Sequence, residues 1–482
     1  MTDSNLVQLA RVSEVTWGTT PASPEMTKVR NTGVTLKYAI NNVRSEEIRA
    51  DRLTPDLIQV GARVNGGFGI ELSYGAFDNE IEAAMFSTWQ KMPVIENSAP
   101  DTEITQVTDS TDTFGVASGG ASYKLGHLVR ASGFTNAANN QLFRVASSTA
   151  TTIVGSSLTL TDEAAPPLGA RLKVVGFQGA SGDITATANG LGSTALNFTT
   201  LGLTVGQWIK IGGTAAGNKF ATAALNGFAR ITAIAATALT LDNLPSGWTT
   251  DTGTSKTIQV WTGDYIRQGT TRKSFSYEIG YLGQSVPSYS VLAGMMVNSM
   301  NLTLEAGSIL TGSFDFLGKV ETISTTALDG TPTEALQNDV MNAVNNVGRI
   351  AEAGADVATP NFMRRLTMTL NNNLREQMAI GSLALIGVGL GDSDVTGSIS
   401  CYFGNKSLYE KYLNGTETSL NAVVVRSSKA YVLTFPRVKF EDGDKPASAR
   451  NQDVMVDLPF RALRDTTTST AFQIDRFEEY AA

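Results

Sequence analysis

Cysteine and histidine are almost missing from this chain. Across 482 residues there is one of each, Cys401 and His127. A single cysteine excludes an intramolecular disulfide, and the pair excludes multi-histidine and multi-cysteine metal sites. Ser-His-Asp or Cys-His catalysis would have to run through His127 alone. Charge is also sparse: Asp, Glu, Lys and Arg make up 17%, and 37 basic residues face 45 acidic ones, for a formal charge of -8. A clamp on a phosphate backbone needs clustered Lys and Arg, so that class is disfavoured. No apolar run reaches the roughly 18 residues of a membrane span. The opening Met1-Thr2-Asp3-Ser4-Asn5 has no basic segment followed by an apolar one. Synthesis and folding in a cytosol, with no membrane anchor, is the expectation. What the chain does have is apolar residues, 42% with a mean hydropathy of -0.04. That is the composition of a folded protein long enough for about two to four domains.

Charge divides the sequence. Residues 100–267 carry 10 basic and 10 acidic groups, whereas 1–99 carry 9 and 12 and 268–482 carry 18 and 23. The neutral middle, rich in Gly, Ala, Ser and Thr, reads as an insert, and it repeats internally. Leu125-Gly126-His127-Leu128-Val129-Arg130 aligns with Val205-Gly206-Gln207-Trp208-Ile209-Lys210, and Leu158-Thr159-Leu160 with Leu239-Thr240-Leu241. Two tandem small all-β modules follow, 100–182 and 183–267, between the two halves of a main domain, 1–99 and 268–482. Low charge and repetition suit an insertion at a loop tip, projecting outward and dispensable. The alignment also sets His127 against Gln207. A neutral amide cannot replace a proton shuttle or a metal ligand, so His127 is expected to be structural.

The flanks alternate with period two. In Gly67–Tyr74 the residues Phe68, Ile70, Leu72 and Tyr74 share one face, and similar units recur at Thr311–Lys319 and Thr396–Lys406, both opening T-G-S. Thr331-Pro332-Thr333-Glu334 reads as a capping box, with Leu336, Val340, Val344 and Val347 as the apolar stripe of a helix ending near Gly348. Shorter helices are expected from Asp78 through Ile81, Met85 and Trp89, and from Ser407 to Asn414. The fold class is mainly β: an antiparallel β-sandwich or ring-forming barrel with one flanking helix, plus the inserted modules.

No motif points to chemistry. Gly66-Gly67-Phe68-Gly69 and Gly387-Val388-Gly389-Leu390-Gly391 lack the strand, helix and GKS/T context of a phosphate loop. The acidic turns at 391–394 and 441–444 lack an EF-hand's later Glu. Cys401 falls on an apolar face with Ile399 and Phe403, as a buried hydrophobe would. No cofactor, metal or catalytic residue is assigned, and no enzyme is expected. The polar faces of the alternating units are more telling. Glu71 with Ser73, Ser313 with Asp315, Ser398 with Ser400, and Thr303 with Glu305 on Ser299–Glu305 are small or acidic, never Lys or Arg.

Several runs together carry a resemblance. Trp17-Gly18-Thr19-Thr20-Pro21-Ala22, Ser45-Glu46-Glu47-Ile48-Arg49-Ala50-Asp51-Arg52 and Gly69-Ile70-Glu71-Leu72-Ser73-Tyr74-Gly75 resemble the N-terminal part of the tail tube proteins of long-tailed bacteriophages. Gly307–Phe314, Val395–Ser398, Tyr409–Tyr412, Leu433–Pro436 and Asn451–Met455 follow in that family's order. The resemblance covers about residues 1–95 and 268–482; the insert departs from it. It implies a virion protein forming hexameric rings that stack into a tube, assembled in the host cytoplasm. A tape-measure protein would occupy the lumen, terminator and tip proteins the ends, and DNA would pass through without specific binding. Glu71, Ser73, Thr303, Glu305, Ser313, Asp315, Ser398 and Ser400 would then face the lumen. The polar stretch with Arg44, Glu46, Glu47, Arg49, Asp51, Arg52 and Asp56 would reach the next ring. The alternative is a β-rich carbohydrate-binding or cell-surface adhesion protein, presenting Trp208, Trp248 and Trp261 as exposed platforms. A hydrolase would need paired carboxylates, which occur here only in turns.

Overall fold

The computed structural model describes residues 3–99, 101–343, 347–357, 360–446 and 450–480. The chain is mainly β and antiparallel, and among the described residues no sheet closes into a barrel. Seven strands lie side by side in the order Lys37–Arg44, Leu57–Glu71, Thr311–Gly318, Ser288–Glu305, Met363–Asn371, Asp394–Tyr402 and Met455–Ala462. A second layer is built from Val347–Glu352, Thr418–Arg426, Lys429–Phe440, Gln473–Phe477 and Asp264–Arg267. Period-two alternation aims one face of each layer at a single shared core. Phe68, Ile70, Met300, Leu302, Phe314 and Leu366 come from the first layer, and Leu420, Val424, Leu433 and Ile474 from the second. Each such side chain contributes roughly 1.5–3 kcal/mol on burial. Aromatic contacts centre on Phe68, whose ring stacks on Phe316 at 5.5 Å and tilts against Phe314 at 5.9 Å. The shared T-G-S openings have a packing cause. A Cβ at Gly397 would lie 2.4 Å from the Phe460 ring, and one at Gly312 would lie 2.9 Å from Leu302, so only glycine leaves room for the core.

The helix expected from Thr331 does not form in the described part, where residues 331–343 make only isolated bridges at Thr333, Val340 and Asn342. Its backbone bonds go sideways instead. Thr333 N–H donates to Met26 O, Lys28 N–H to Thr333 O, and Met341 N–H to Leu72 O, each at 2.8–2.9 Å. The buried residue is Met341, while Leu336 of the presumed stripe is 57% exposed. Val344 lies outside the described residues, and Val347 begins a strand. The two short helices are present, at Asp78–Ala84 and Ser407–Leu413. Asp78 is the first helical residue rather than the cap, its carboxylate accepting from Tyr431 Oη at 3.2 Å and pairing with Arg476.

The inserted sheet runs from Val94–Glu96 to Gln259–Thr262 and holds two cores, one around Phe114, Phe143 and Leu172, the other around Phe198, Ile209 and Val260. The repeat is visible in the strands, with His127–Ser132 matching Trp208–Ile211 and Leu142–Ser148 matching Phe228–Ile234. The modules join where Arg171–Gln178 pairs with Gln259–Thr262. They are docked on the second layer, not tethered at a loop tip. Leu128 and Trp208, equivalent in the repeat, share a cluster with Val175, Trp261, Val423, Val432 and Phe477. Trp208 Nε1 donates to Thr434 Oγ1 at 2.8 Å and Trp208 N–H to Asp475 Oδ1 at 3.0 Å. Charges reinforce the seam: Asp264 lies 2.9 Å from Lys173 and 3.0 Å from Arg476, and Arg171 and Arg130 reach Glu478 and Glu479 at 3.0 and 2.7 Å.

Candidate functional site

The candidate surface is the outer face of the seven-stranded layer. Because register is continuous, its alternate residues form rows across the strands. One row is Ser313, Asn301, Thr369 and Thr396; the next is Thr311, Thr303, Thr367 and Ser398; a third is Glu305, Arg365, Ser400 and Asp457. Ser313 also sits opposite Gly69, and Thr311 opposite Glu71. Side chains bond along the rows. Ser299 Oγ donates to Asp315 Oδ2 at 3.0 Å, Asn301 Nδ2 to Ser313 Oγ at 3.1 Å, and Thr369 Oγ1 to Asn301 Oδ1 at 2.7 Å. The bonded members, Ser299, Asn301, Ser313, Asp315 and Thr369, are satisfied by one another.

Seven of the eight sequence-derived positions fall on this face: Glu71, Thr303, Glu305, Ser313, Asp315, Ser398 and Ser400. Ser73 does not. It is fully buried beneath the 331–343 segment, opposite Val340, with Arg30 Nη1 donating to its hydroxyl at 3.1 Å. Cations join the face from strands outside the three alternating units, and Arg364 and Arg365 line one cleft with Glu305, Ser400 and Asp457. Arg461 is held by Asp394 and, at 2.5 Å, by Glu441; Arg365 stands in register between Glu305 and Ser400. The alternation of Leu366, Met368 and Leu370 with Arg365, Thr367 and Thr369 was the available signal.

The polar stretch forms the tip of the hairpin between Lys37–Arg44 and Leu57–Glu71, and Arg44, Glu46, Glu47, Arg49, Asp51, Arg52 and Asp56 are all exposed. Arg49 braces the tip by donating to Asp51, whose carboxyl it holds below the usual range, and Leu53 N–H donates to the same carboxylate at 3.1 Å. Ile48 and Leu53 stand free in water.

The lone histidine has a precise counterpart. Lys124 N–H donates to His127 Nδ1 at 3.1 Å and Thr204 N–H to Gln207 Oε1 at 3.1 Å, so both close the same turn. On the far side His127 Nε2 meets Leu201 O at 3.3 Å, and Gln207 Nε2 donates to Gly263 O at 2.8 Å. Cys401 is buried in the core, its thiol pushed up to about 12 by burial and by Asp457. Trp208 and Trp261 are fully buried, and Trp248 is half-buried with its indole N–H donated to Thr187 O at 2.8 Å, so the three form no exposed platform. Among the described residues no cluster of His, Cys, Asp or Glu is placed to hold a metal ion, and no helix is long and apolar enough to cross a membrane.

Fold and surface together define an antiparallel β protein organised around one extended polar sheet face. The family model for phage tail tube proteins matches residues 4–246 and 232–462, and the chain belongs to that family. The matches run through the inserted modules as well as the flanks. No curated protein matches the chain. The protein is accordingly a structural component of the phage tail tube, and membership implies self-assembly into a tube within the virion tail.

Proposed function

We propose that the chain forms rings, hexameric in the manner of its family, which stack into the conduit for DNA during ejection, with the seven-stranded face lining the bore. The observation that carries this reading is the continuity of that face from Glu71 to Asp457, with Ser, Thr and Asn bonded to each other across strands. DNA sticks to protein mainly through Lys and Arg neutralising phosphates with counterion release. On the strands from Thr311–Gly318 to Met455–Ala462, with Glu71 at their edge, Glu71, Asp315, Glu305, Asp394 and Asp457 outnumber Arg364, Arg365 and Arg461, and Arg461 is paired with Asp394 and Glu441. The acids repel a polyanion over about 8–10 Å, the Debye length at physiological salt. Before ejection the same bore holds a tape-measure protein; terminator and tip proteins close the ends, and assembly takes place in the host cytoplasm. The 45–56 tip is the contact to the next ring.

Electron microscopy of the purified protein in negative stain should show tubes with a central bore, and persistent monomers would overturn the reading. Glu71→Lys with Asp315→Lys should leave tubes intact and slow genome ejection from complete particles. Ejection at the wild-type rate would count against the lining assigned here.

A further inference from the structure

The turn that opens Trp208–Ile211 in the second module is held by three side chains of the second layer. Arg267 Nη2 donates to Val205 O, Gln473 Nε2 donates to Gly206 O at 2.8 Å, and Asp475 Oδ1 accepts from Trp208 N–H at 3.0 Å. The three are also bonded to one another. Arg267 Nε donates to Gln473 Oε1, and Gln473 Nε2 to Asp475 Oδ2, both at 2.7 Å. The equivalent turn of the first module bonds within the insert instead, Gly126 O accepting from Gln178 N–H at 2.8 Å, and its Leu125 is half exposed. Only one copy of the repeat is clasped.

Asp475 is the unusual member of the clasp. It is fully buried, and among the described residues no ion pair reaches it. The charges around it are engaged elsewhere. On the strand paired with it Arg267 is bonded as above, and on Lys429–Phe440 the residue opposite is Val432. From the insert, Arg230 is held by Asp242 and Lys210 donates to Gly212 O, while Asp465, near Arg230, accepts from Thr468 at 2.7 Å. Arg476 turns to the other side of its strand, onto Asp78 and Asp264. A carboxylate in such a place is destabilising when charged and much less so when protonated. Burial pushes it up from 3.8 to about 7, against the pull of the Trp208 and Gln473 bonds.

We propose that this clasp is a pH-sensitive latch between the insert and the main domain, tight in acid and looser as the solution becomes alkaline. The proton stays on Asp475 while the insert is docked and passes to water when the insert lifts and the carboxyl meets solvent. Because the docked value is the higher one, the contribution of this group is complete below about pH 4, falls as pH rises, and levels off above about 7. Between pH 5.5 and 7.5 the docking equilibrium should weaken about twentyfold. Two other groups of the seam keep their charges across that window. Against burial, the Arg171 and Lys173 contacts hold Glu478 down to about 2, and burial with Lys219 nearby brings Lys210 only to about 8.

Val423→Cys places a thiol beneath the insert, and Cys401 stays silent because it is buried in the main core with its thiol near 12. Iodoacetamide labelling of the full-length protein, divided by that of free cysteine at the same pH, should rise about twentyfold from pH 5.5 to 7.5. Adding Asp475→Asn, which keeps an acceptor for Trp208 N–H but cannot ionise, should abolish the rise. If Val423→Cys lacks the wild-type circular dichroism spectrum, Ala430→Cys reports on the same contact. Normalised labelling that does not change with pH, or that rises equally in the presence of Asp475→Asn, overturns the latch.

Discussion

His127 shows how a single side chain can be read from a repeat. Its place opposite Gln207 required a role that an amide can fill, and both side chains accept the N–H that closes a turn. Burial pulls the imidazole down to about 4, against 6.5 for an ordinary histidine. Because the folded value is the lower one, its contribution to stability is complete above about pH 6.5 and is lost as pH falls through 4. The size is about 3 kcal/mol for a shift of this magnitude. His127→Gln should therefore match the wild type in urea denaturation at pH 7.5 to within about 1 kcal/mol and lose less stability at pH 4.5. His127→Ala strands the Lys124 N–H and Leu201 C=O and should cost about 1–3 kcal/mol at pH 7.5, a deficit that shrinks at pH 4.5 because alanine, like glutamine, has no imidazole to charge. Equal acid sensitivity of wild type and His127→Gln would show that another group sets it. Ser73 marks the limit of such reading. Alternation would put it on the exposed polar side, but the strand ends at Glu71 and a segment about 265 residues away in sequence covers Ser73, a cover that no local pattern announces.

Among the elements, strands were legible and their partners were not. Period two marked 67–74, 311–319 and 396–406 because one face of each is core. The same pattern runs through Met363–Asn371 and carries Arg365 onto the polar face. The failure at 331–343 has a physical reason: capping boxes and stripes are local signals worth about a kilocalorie, and here they lose to hydrogen bonds with the exposed edges at Lys28 and Leu72. The insert's docking was hidden for a related reason, since Trp208 and Trp261 read equally well as surface platforms or as core. Burial decides the consequence. Replacing residues 100–262 by a Gly/Ser linker uncovers Val423, Val432 and Phe477 and leaves Glu478 and Glu479 without their arginines. The shortened chain should be insoluble or aggregated on size-exclusion chromatography. Trp208→Ala in the intact chain should cost about 3–5 kcal/mol. A soluble, assembling deletion variant would mean that the docking adds little.

For the whole molecule, the 45–56 tip is the exposed extremity on which ring stacking would depend. Arg52 has no ion-pair partner among the described residues, while Arg49 is spent on Asp51. Arg52→Glu should thus leave the protomer's melting temperature unchanged yet reduce tube length in micrographs, whereas Arg49→Glu should disturb the tip itself. Tubes of normal length from Arg52→Glu would remove this residue from the stacking contact. The pairing of Asp264–Arg267 with Gln473–Phe477 bears on timing rather than contact. Arg476 reaches Asp264 across 212 positions of sequence, and Asp475 joins the second layer to the insert by accepting from Trp208 N–H. During translation the strand at 264–267 must wait for the ribosome to deliver its partner, and the second layer cannot close until then. A nascent chain stalled before residue 473 therefore lacks the strand that completes the second layer, and the insert has no finished surface on which to dock until the last residues are made.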